Sequence, residues 1–275
     1  MSTVPLGTLL RDWRQRRRMS QLDLALEAGV SARHLTFLET GRSKPSREMV
    51  LHLSDQLEVP LRDRNQLLLA AGFSPAFAER PLDAQEMSPV REALDRILKG
   101  HEPYPAVVVD RWWNLAAANT GIAMFTAEVA PHLMEPPVNA LRVTLHPDGM
   151  APRIRNLPEW RAHLLDRLRR QVTVTNDDRL AALYAELSDY PGGEESLPAH
   201  EPGIAVPLRV VVAGTELSFF STISTFGTAV DITLAELAIE AFFPADEATS
   251  DYLLNATSPS ISSRAGAASD SNRTA

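Results

Sequence analysis

A short stretch near the N-terminus, SQLDLALEAGVSARHLTFLETGRSKPS (residues 20–46), contains the side chains whose types and spacing best suit recognition chemistry. Arg33 and His34 follow closely on Ser31, which has the residue type and position of a helix N-cap. An arginine near the start of a helix can donate two hydrogen bonds to the edge of one guanine base. The stretch is therefore a candidate nucleic-acid contact.

The spacing of the stretch predicts which residues make that contact. A second helix laid in the major groove presents its first residues to base edges, while Leu35 and Leu38 face the interior. Gln21 and the backbone amides around residues 42–44 are placed to hold phosphates. The predicted DNA-binding residues are Gln21, Ser31, Ala32, Arg33, His34, Thr36, Phe37, Arg42, Ser43 and Lys44. Three of them have other interpretations: Arg33 as a solvated charge, His34 as a cap, and Phe37 as packing on a neighbouring helix.

Helical periodicity predicts the elements that position these residues. Apolar side chains at i, i+3, i+4 and i+7 indicate a first helix from Leu6, and Ser20 is the predicted cap of a second helix that ends at Gly29. Gly41 is predicted to end the third helix and Gly72 the fifth, with a fourth helix opening at residues 45–46. Five short helices in about 70 residues predict a compact all-α helix-turn-helix domain over residues 1–72.

The same stretch resembles the Xre/lambda-repressor-like helix-turn-helix family. The residues that carry the resemblance are Gln21, Ala25, Gly29, Val30, Ser31, Leu35, Leu38, Glu39 and Gly41. The resemblance implies binding to double-stranded DNA. It also implies that an arginine of the first helix, here Arg14, pairs with Glu39.

Composition limits the remaining possibilities. The chain has 275 residues and a formal charge of −8, yet residues 1–80 contain 12 Lys and Arg against 9 Asp and Glu. The absence of cysteine excludes disulfides and thiolate metal sites, and we expect neither a metal nor a cofactor. No apolar run approaches the ~18 residues of a membrane span, and the start lacks a signal-peptide core, so we expect a cytoplasmic protein without membrane insertion.

After residue 72 the sequence no longer shows the pattern of short helices only. Residues 73–99 are predicted to be a linker with a connecting helix, and residues 255–275 a disordered tail rich in Ser and Ala. Between them, 100–254 combine two strands that meet near Asp110–Arg111, helices over about 156–172 and 177–189, and a hairpin around Ala213-Gly214-Thr215. The segment TLAELAIEAFFPAD suits helix or strand, and we favour a strand for its second half. This order predicts an α+β domain whose antiparallel sheet has one face covered by helices.

Residues 100–254 resemble PAS-type sensor domains and, in full, the MmyB-like ligand-binding domain that follows Xre-type domains in bacterial regulators. The resemblance is carried by Trp113 with Asn119, Asn139-Ala-Leu-Arg142 with His146-Pro-Asp-Gly149, and Thr225-Phe-Gly-Thr228 with Phe242-Phe-Pro-Ala-Asp246. It implies a regulator that senses a small apolar ligand, with a fatty acid or related lipid as the favoured class. The predicted ligand-binding residues are Trp113, Phe125, Arg142, Trp160, Phe219 and Phe226. For the aromatic residues an ordinary core is the alternative, and for Arg142 a surface charge.

No catalytic motif is present. The sequence lacks a G-x-S-x-G elbow, a phosphate-binding loop and an H-E-x-x-H pair, so we expect no enzyme. The alternative function is that of a DNA-binding adaptor or antitoxin-like protein whose acidic C-terminal domain binds a protein partner. A single helix-turn-helix domain of this size contacts one half-site of a DNA operator, so we also expect a homodimer.

Overall fold

The computed structural model of the protein describes residues 4–192 and 206–257. Its N-terminal part is a bundle of five helices, as the sequence predicts: α1 (Leu6–Arg16), α2 (Gln21–Glu27), α3 (Ala32–Glu39), α4 (Arg47–Gln56) and α5 (Leu61–Ala70). Their shared core is formed by leucines such as Leu24, Leu35 and Leu53, which are almost fully buried.

Local side-chain chemistry fixes the helix ends. Ser20 and Asp23 form a reciprocal capping box, in which the Asp23 amide donates to Ser20 Oγ at 3.1 Å and the Ser20 amide donates to Asp23 Oδ2 at 2.8 Å. Ser31 Oγ accepts from the His34 amide at 3.1 Å and caps α3. Gly29 and Gly41, with φ of +62° and +70°, occupy the left-handed conformation that follows α2 and α3.

A glycine allows α1 to approach α3 closely. A Cβ atom on Gly7 would lie 2.4 Å from the backbone oxygen of Glu39, which is shorter than real Cβ contacts. The close approach brings the first turn of α1 against the last turn of α3. It therefore sets the orientation of α3 on the bundle.

The second part of the chain is built on a sheet. Its strands are β1 (Ala106–Val109), β2 (Leu115–Ala118), β3 (Leu208–Val212), β4 (Thr215–Thr225) and β5 (Ala238–Pro244). They form a five-stranded antiparallel sheet in the order β2-β1-β5-β4-β3. The remaining helices are α6 (Ser88–Gly100), α7 (Ala123–Thr126), α8 (Ala140–Leu145), α9 (Leu157–Thr175), α10 (Asp178–Asp189), α11 (Ile232–Ala235) and α12 (Glu247–Thr257). The α+β class and the β3–β4 hairpin are confirmed, with Ala213 and Gly214 both at positive φ in its two-residue turn.

Helices pack on both faces of the sheet, whereas the sequence predicts a cover on one face. The inner face, including Val107 and Phe242, packs against α9 and α10 in the largest core cluster. On the outer face, Val108 and Ile239 pack against Leu94 and Leu98 of α6. The difference arises because the connecting helix folds back on the domain that it precedes.

Asn119 precedes a short helical turn at residues 120–122 but makes no side-chain cap bond, and its amide group instead joins the Ala106 amide to the Tyr104 carbonyl. Most of the predicted disordered tail, residues 258–275, lies outside the described residues, and its first three residues belong to α12. No helix in the described part of the chain is long and apolar enough to cross a membrane.

Candidate functional site

A buried ion pair mounts α3 on α1. Arg14 donates through Nε to Glu39 Oε1 at 2.7 Å and through Nη2 to Glu39 Oε2 at 2.9 Å, and its Nη1 donates to the Met19 carbonyl at 2.8 Å. The pairing that the family resemblance implies is thus confirmed. Because both side chains are buried and all three guanidinium nitrogens have an acceptor, α3 is held rigidly.

The ion pair continues into a network below the outer face of α3. Gln21 Nε2 donates to Glu39 Oε2 at 2.8 Å, while Thr36 Oγ1 lies 3.0 Å from Gln21 Oε1. Burial raises the pKa of Glu39, but the hydrogen bonds from Arg14 and Gln21 outweigh it, so the net pKa lies below the ordinary value. Glu39 is therefore a charged carboxylate at neutral pH. Gln21 and Thr36, both predicted to touch DNA, are held by this network at the base of α3.

The outer face of α3 carries the other predicted base contacts. Arg33 is exposed, and its guanidinium carbon lies 5.3 Å from the centre of the Phe37 ring, one helical turn further on. Ala32, His34 and Phe37 are half-buried, and Ser31 is exposed at the helix start. The structure thus brings a cation and an aromatic ring together on the side of α3 that faces away from the bundle.

The turn after α3 uses part of its hydrogen-bonding capacity internally. The amides of Arg42 and Ser43 both donate to the Phe37 carbonyl, at 2.8 and 3.2 Å. These two amides are therefore not free for phosphates as the sequence argument expects. The side chains of Arg42 and Lys44 are exposed, and Ser43 is half-buried. Of the groups predicted to hold phosphates in this turn, the exposed side chains of Arg42 and Lys44 are available for contact.

An apolar cavity lies between the sheet and helices α7 to α9. The cavity has a volume of about 90 Å³, which is several times the ~10–15 Å³ that holds one water. The walls are apolar except at Thr126, Thr144 and Glu240. The apolar lining is Val107, Trp113, Leu115, Ile122, Phe125, Met134, Val138, Ala140, Leu141, Val143, Met150, Trp160, Leu164, Leu208 and Phe242.

The predicted ligand residues divide by their position around this cavity. Trp113, Phe125 and Trp160 line it. Phe219 is fully buried behind the lining, with its ring centre 5.4 Å from that of Phe125 in an edge-to-face contact. Phe226 packs into the cluster on the outer face of the sheet, so the structure separates it from the cavity.

Arg142 also lies away from the cavity lining. Its guanidinium is paired with both carboxylate oxygens of Glu186, each at 2.7 Å, and its side chain is 41% exposed. Tyr190 donates to the same carboxylate at 2.6 Å, and burial together with this hydrogen bond raises the pKa of Tyr190 to about 12. The cation that the sequence analysis assigns to a ligand head group is thus engaged at the surface, between α8 and α10.

Among the described residues, three side chains at the surface form a cluster of possible metal ligands. The ligand atoms of His132, His146 and Asp148 lie within 4.8 Å of one another. His146 Nδ1 already accepts the Asp148 amide at 3.0 Å, and its ring packs edge-on against Tyr190. Two of the three residues thus already have partners in and around the turn after α8, and we assign no ion to the cluster.

The β1–β2 turn connects the cavity to the junction between the two parts of the chain. Asp110 Oδ1 accepts the amides of Trp112 and Asn114 at 2.8 Å, which fixes the turn. Within it, Trp113 lines the cavity and has φ of +69°, a strained conformation for a bulky residue. The Trp112 ring instead lies 5.4 Å from the Arg62 guanidinium of α5. Adjacent residues of one rigid turn thus contact the ligand cavity and the helix-turn-helix bundle.

Arginine–carboxylate pairs close that junction. Arg62 donates through Nε and Nη2 to the two oxygens of Glu236, both at 2.9 Å, and through Nη1 to Glu79 at 2.9 Å. Arg111 Nη1 donates to the same Glu236 at 2.8 Å. Backbone pairing adds to these bonds, since the Ile232 amide donates to the Ala78 carbonyl at 2.8 Å. Helix α5 and the segment that follows it, which includes Ala78 and Glu79, are therefore bonded directly to the sheet domain.

Sequence reasoning missed two charged residues at the cavity. Glu240 lines it, and Arg167 Nη1 lies 3.4 Å from Glu240 Oε1. A signal for Arg167 was present, because it follows Trp160 by seven residues and so lies about 20° from it around a helix. Arg167 thus interrupts the apolar stripe of α9, where it contacts Glu240 and the Trp113 ring.

Comparison with known proteins agrees with this architecture. Residues 90–254 match the family described as MmyB-like transcription regulator ligand binding domain, and residues 10–63 match a helix-turn-helix family. Over 113 residues the chain is 35% identical to HTH-type transcriptional regulators of Mycobacterium tuberculosis and Mycobacterium bovis, a match that covers 40% of this chain and 40% of each relative. Over 115 residues it is 29% identical to the HTH-type transcriptional regulator RghRB of Bacillus subtilis, covering 41% of this chain and 81% of that protein.

The matched segment thus spans less than half the length of the mycobacterial relatives. The ligand-binding family, in contrast, matches more than half of this chain and includes the sheet, the cavity and helices α7 to α12. The helix-turn-helix match contains α3 and the buried ion pair of Arg14 with Glu39. The chain therefore belongs to the MmyB-like transcription regulators, with a helix-turn-helix domain in front of the ligand-binding domain.

Proposed function

We propose that the protein is a sequence-specific DNA-binding transcriptional regulator. The observation that supports this most is the rigid mounting of α3, whose outward face carries Arg33 and Phe37 above the Arg14–Glu39 pair. A reader helix must be held at a fixed angle for its first residues to meet base edges. The relatives in Mycobacterium and Bacillus are named as transcriptional regulators, which agrees with this function. We further propose that this regulator acts in the cytoplasm and catalyses no reaction.

Selection of duplexes from a random library, followed by titration at several salt concentrations, tests this proposal. Arg33→Ala should relax preference at one base pair, by about 1–3 kcal/mol of discrimination. Arg42→Ala and Lys44→Ala should weaken all sequences alike and reduce the salt slope by about 1 for each lost phosphate contact. If the wild-type protein enriched no sequence and both kinds of variant bound like it, the assignment of α3 as a reader would be wrong.

A dimer is part of the same proposal. One helix-turn-helix domain reads one half-site, so we propose a homodimer on half-sites about 10 base pairs or a multiple apart. Light scattering of the protein with its selected duplex gives the number of chains bound. One chain per duplex would contradict the dimer.

For the second domain we propose the sensing of a small apolar ligand, a fatty acid or a related lipid. The cavity supports this, because its lining is apolar and lies beside the turn that also contacts the helix-turn-helix bundle. A ligand held only by the folded protein stabilises it by about 2.7 kcal/mol at a hundredfold excess over its Kd. Regulation further requires that the ligand bind the DNA-competent and DNA-incompetent arrangements differently.

The test is therefore thermal unfolding and operator affinity with and without an acyl ligand. Ala140→Phe should block the thermal shift, since Ala140 lines the cavity. Ala185→Phe, on the exposed face of α10, is the matched control and should leave the shift intact. A shift without any change in operator affinity would leave the lipid as a structural component. If no acyl chain produced a shift and a stoichiometric protein co-purified instead, the adaptor or antitoxin-like alternative would be favoured.

A further inference from the structure

The helix α6 turns a charged face to solvent. Its apolar side is already occupied, because Leu94 and Leu98 are buried against the outer face of the sheet. The opposite side carries four exposed charged residues that line one surface depression: Glu92, Asp95, Arg96 and Lys99. The surface that α6 offers to another molecule is therefore ionic, with two acids followed by two bases along the chain.

These charges are not paired along their own helix. Glu92 and Arg96 stand at i and i+4, and so do Asp95 and Lys99, which is the spacing at which opposite charges on one helix attract. Among the described residues neither couple forms an ion pair, and Glu92 Oε1 instead accepts a hydrogen bond from Ser88 Oγ at 3.3 Å. The four charges thus keep their capacity for ionic contacts.

Exposed charges on α9 behave differently. There Asp166 is paired with Arg169 and with Arg170, which lie three and four residues further along the same helix. Pairing within the helix accounts for those exposed charges. The charges of α6, in contrast, are open to a partner outside the helix.

α6 is held firmly enough to present a fixed array of charges. Arg91 Nη1 donates to the carbonyl oxygens of Leu82 and Ala84 at 2.6 and 2.7 Å, which bonds the helix to the segment before it. Its buried side packs against Val108 of β1 and Ile239 of β5. Because the backbone of the array is ordered before any partner arrives, binding does not have to order the helix.

We propose that the exposed face of α6 is a homodimer interface, at which α6 packs antiparallel to α6 of a second copy of this chain. A two-fold axis that crosses the helix between Asp95 and Arg96 places Glu92 opposite Lys99 of the second copy. The same axis places Asp95 opposite Arg96 of the second copy. A parallel arrangement would instead set each residue beside its own copy, with like charges together. The charge order therefore selects the antiparallel pair.

Helix geometry permits both contacts at once. Glu92 and Lys99 are about two helical turns apart, so they lie in one line along the helix, about 10 Å from each other. Asp95 and Arg96 lie on either side of that line. This inference rests on the proposed homodimer and names the surface through which it forms.

The physics of exposed ion pairs sets the expected strength of this dimer. Such pairs are individually weak and are screened by salt, so they determine which surfaces meet more than how tightly they bind. We therefore expect a salt-sensitive dimer that is strengthened when both helix-turn-helix domains bind one duplex.

Sedimentation equilibrium of the full-length protein without DNA tests the interface. The wild type should dimerise, with a Kd that rises as the ionic strength is raised from about 0.1 to 1 M. Glu92→Lys and Lys99→Glu each set like charges opposite one another at two symmetry-related places, so each should raise the Kd by at least about 10-fold. An equal mixture of the two variants restores opposite charges at both places. The mixture should therefore form a heterodimer with an affinity close to that of the wild type.

The control is Glu58→Lys, which makes the same charge change at an exposed residue of the helix-turn-helix domain and should dimerise like the wild type. A wild type that sediments as a monomer, or single variants that dimerise as well as it does, would overturn the assignment of α6. Two monomeric variants whose mixture is also monomeric would overturn the antiparallel pairing. The number of chains on the selected duplex is measured separately, so a dimer that forms on DNA through another surface would leave the proposed function intact while this inference fails.

Discussion

Two arginine–glutamate pairs inside this protein differ in how completely they are made. In the helix-turn-helix domain, Arg14 and Glu39 form two bonds of 2.7 and 2.9 Å, and Gln21 and Met19 satisfy further atoms. In the ligand-binding domain, Arg167 reaches Glu240 through one contact of 3.4 Å. The hydrogen bond to Glu39 raises the pKa of Arg14, whereas burial lowers the pKa of Arg167. A complete buried pair holds two helices together and is costly to break, whereas a single long contact contributes less.

The largest expected effect comes from breaking the complete pair. Glu39→Ala leaves Arg14 buried without its partner, and we expect the free energy of unfolding to fall by about 3–5 kcal/mol. Urea denaturation followed by circular dichroism measures it. Glu58→Ala is the control, because the Glu58 side chain is 81% exposed and only 3.6 Å from Arg17, and it should change the value by no more than about 0.5 kcal/mol. Equal effects would mean that the Arg14–Glu39 pair has no special role.

A smaller effect is expected where α1 meets α3. Gly7→Ala places a methyl group against the Glu39 carbonyl and should cost about 1–3 kcal/mol of stability as the helices separate. Gly100, near the end of α6, has open space at the same position. Gly100→Ala should therefore stabilise the protein by about 0.5–1 kcal/mol through helix propensity. Thermal unfolding distinguishes the opposite signs, and a loss in both variants would show that close packing at α1–α3 is not the cause.

The incomplete pair should show weak coupling. In a double-mutant cycle of Arg167→Met and Glu240→Gln, we expect an interaction energy below about 1 kcal/mol, at the low end of what contacting residues show. The same cycle with Arg14→Met and Glu39→Gln should give about 2–3 kcal/mol. If Arg167 and Glu240 were coupled as strongly as Arg14 and Glu39, the single long contact between them would not be the weak interaction that its distance indicates.

The smallest effect is a dependence on pH. The pKa of Glu39 is lowered from its ordinary value of 4.5 in the folded protein, so its carboxylate stabilises the fold above the unfolded-state pKa, and this contribution is lost as pH falls through the folded-state pKa. The difference in unfolding free energy between wild type and Glu39→Gln should therefore be constant near neutral pH and shrink below about pH 4.5. Denaturation curves between pH 3 and 7 test this, and a difference that does not vary with pH would be inconsistent with it.

The predictability of the two sites follows from the range of the interactions that build them. The proposed DNA-contacting surface is local: Ser31, Arg33 and Phe37 belong to α3 and its cap, and the glycine that follows this helix lies ten positions after Ser31. The apolar cavity, in contrast, gathers residues from the sheet and from helices far apart in sequence, such as Phe125, Trp160 and Phe242. Aromatic residues on apolar stripes can be foreseen as buried, but which wall they form depends on how the stripes pack.

The sequence by itself determined the serine caps of α2 and α3, the turn glycines, the hairpin at residues 213–214 and, through the family resemblance, the partner of Arg14. Caps and turns follow from hydrogen bonds and φ preferences within a few residues, so they are encoded locally. Only the tertiary structure decided that Arg142 pairs with Glu186 at the surface while Arg167 packs over the Trp113 ring. Both are arginines on amphipathic helices, and their burial and partners depend on residues 44 and 73 positions away. Which residues meet across those separations is set by the packing of α8, α9 and α10 on the sheet, and no local pattern specifies that packing.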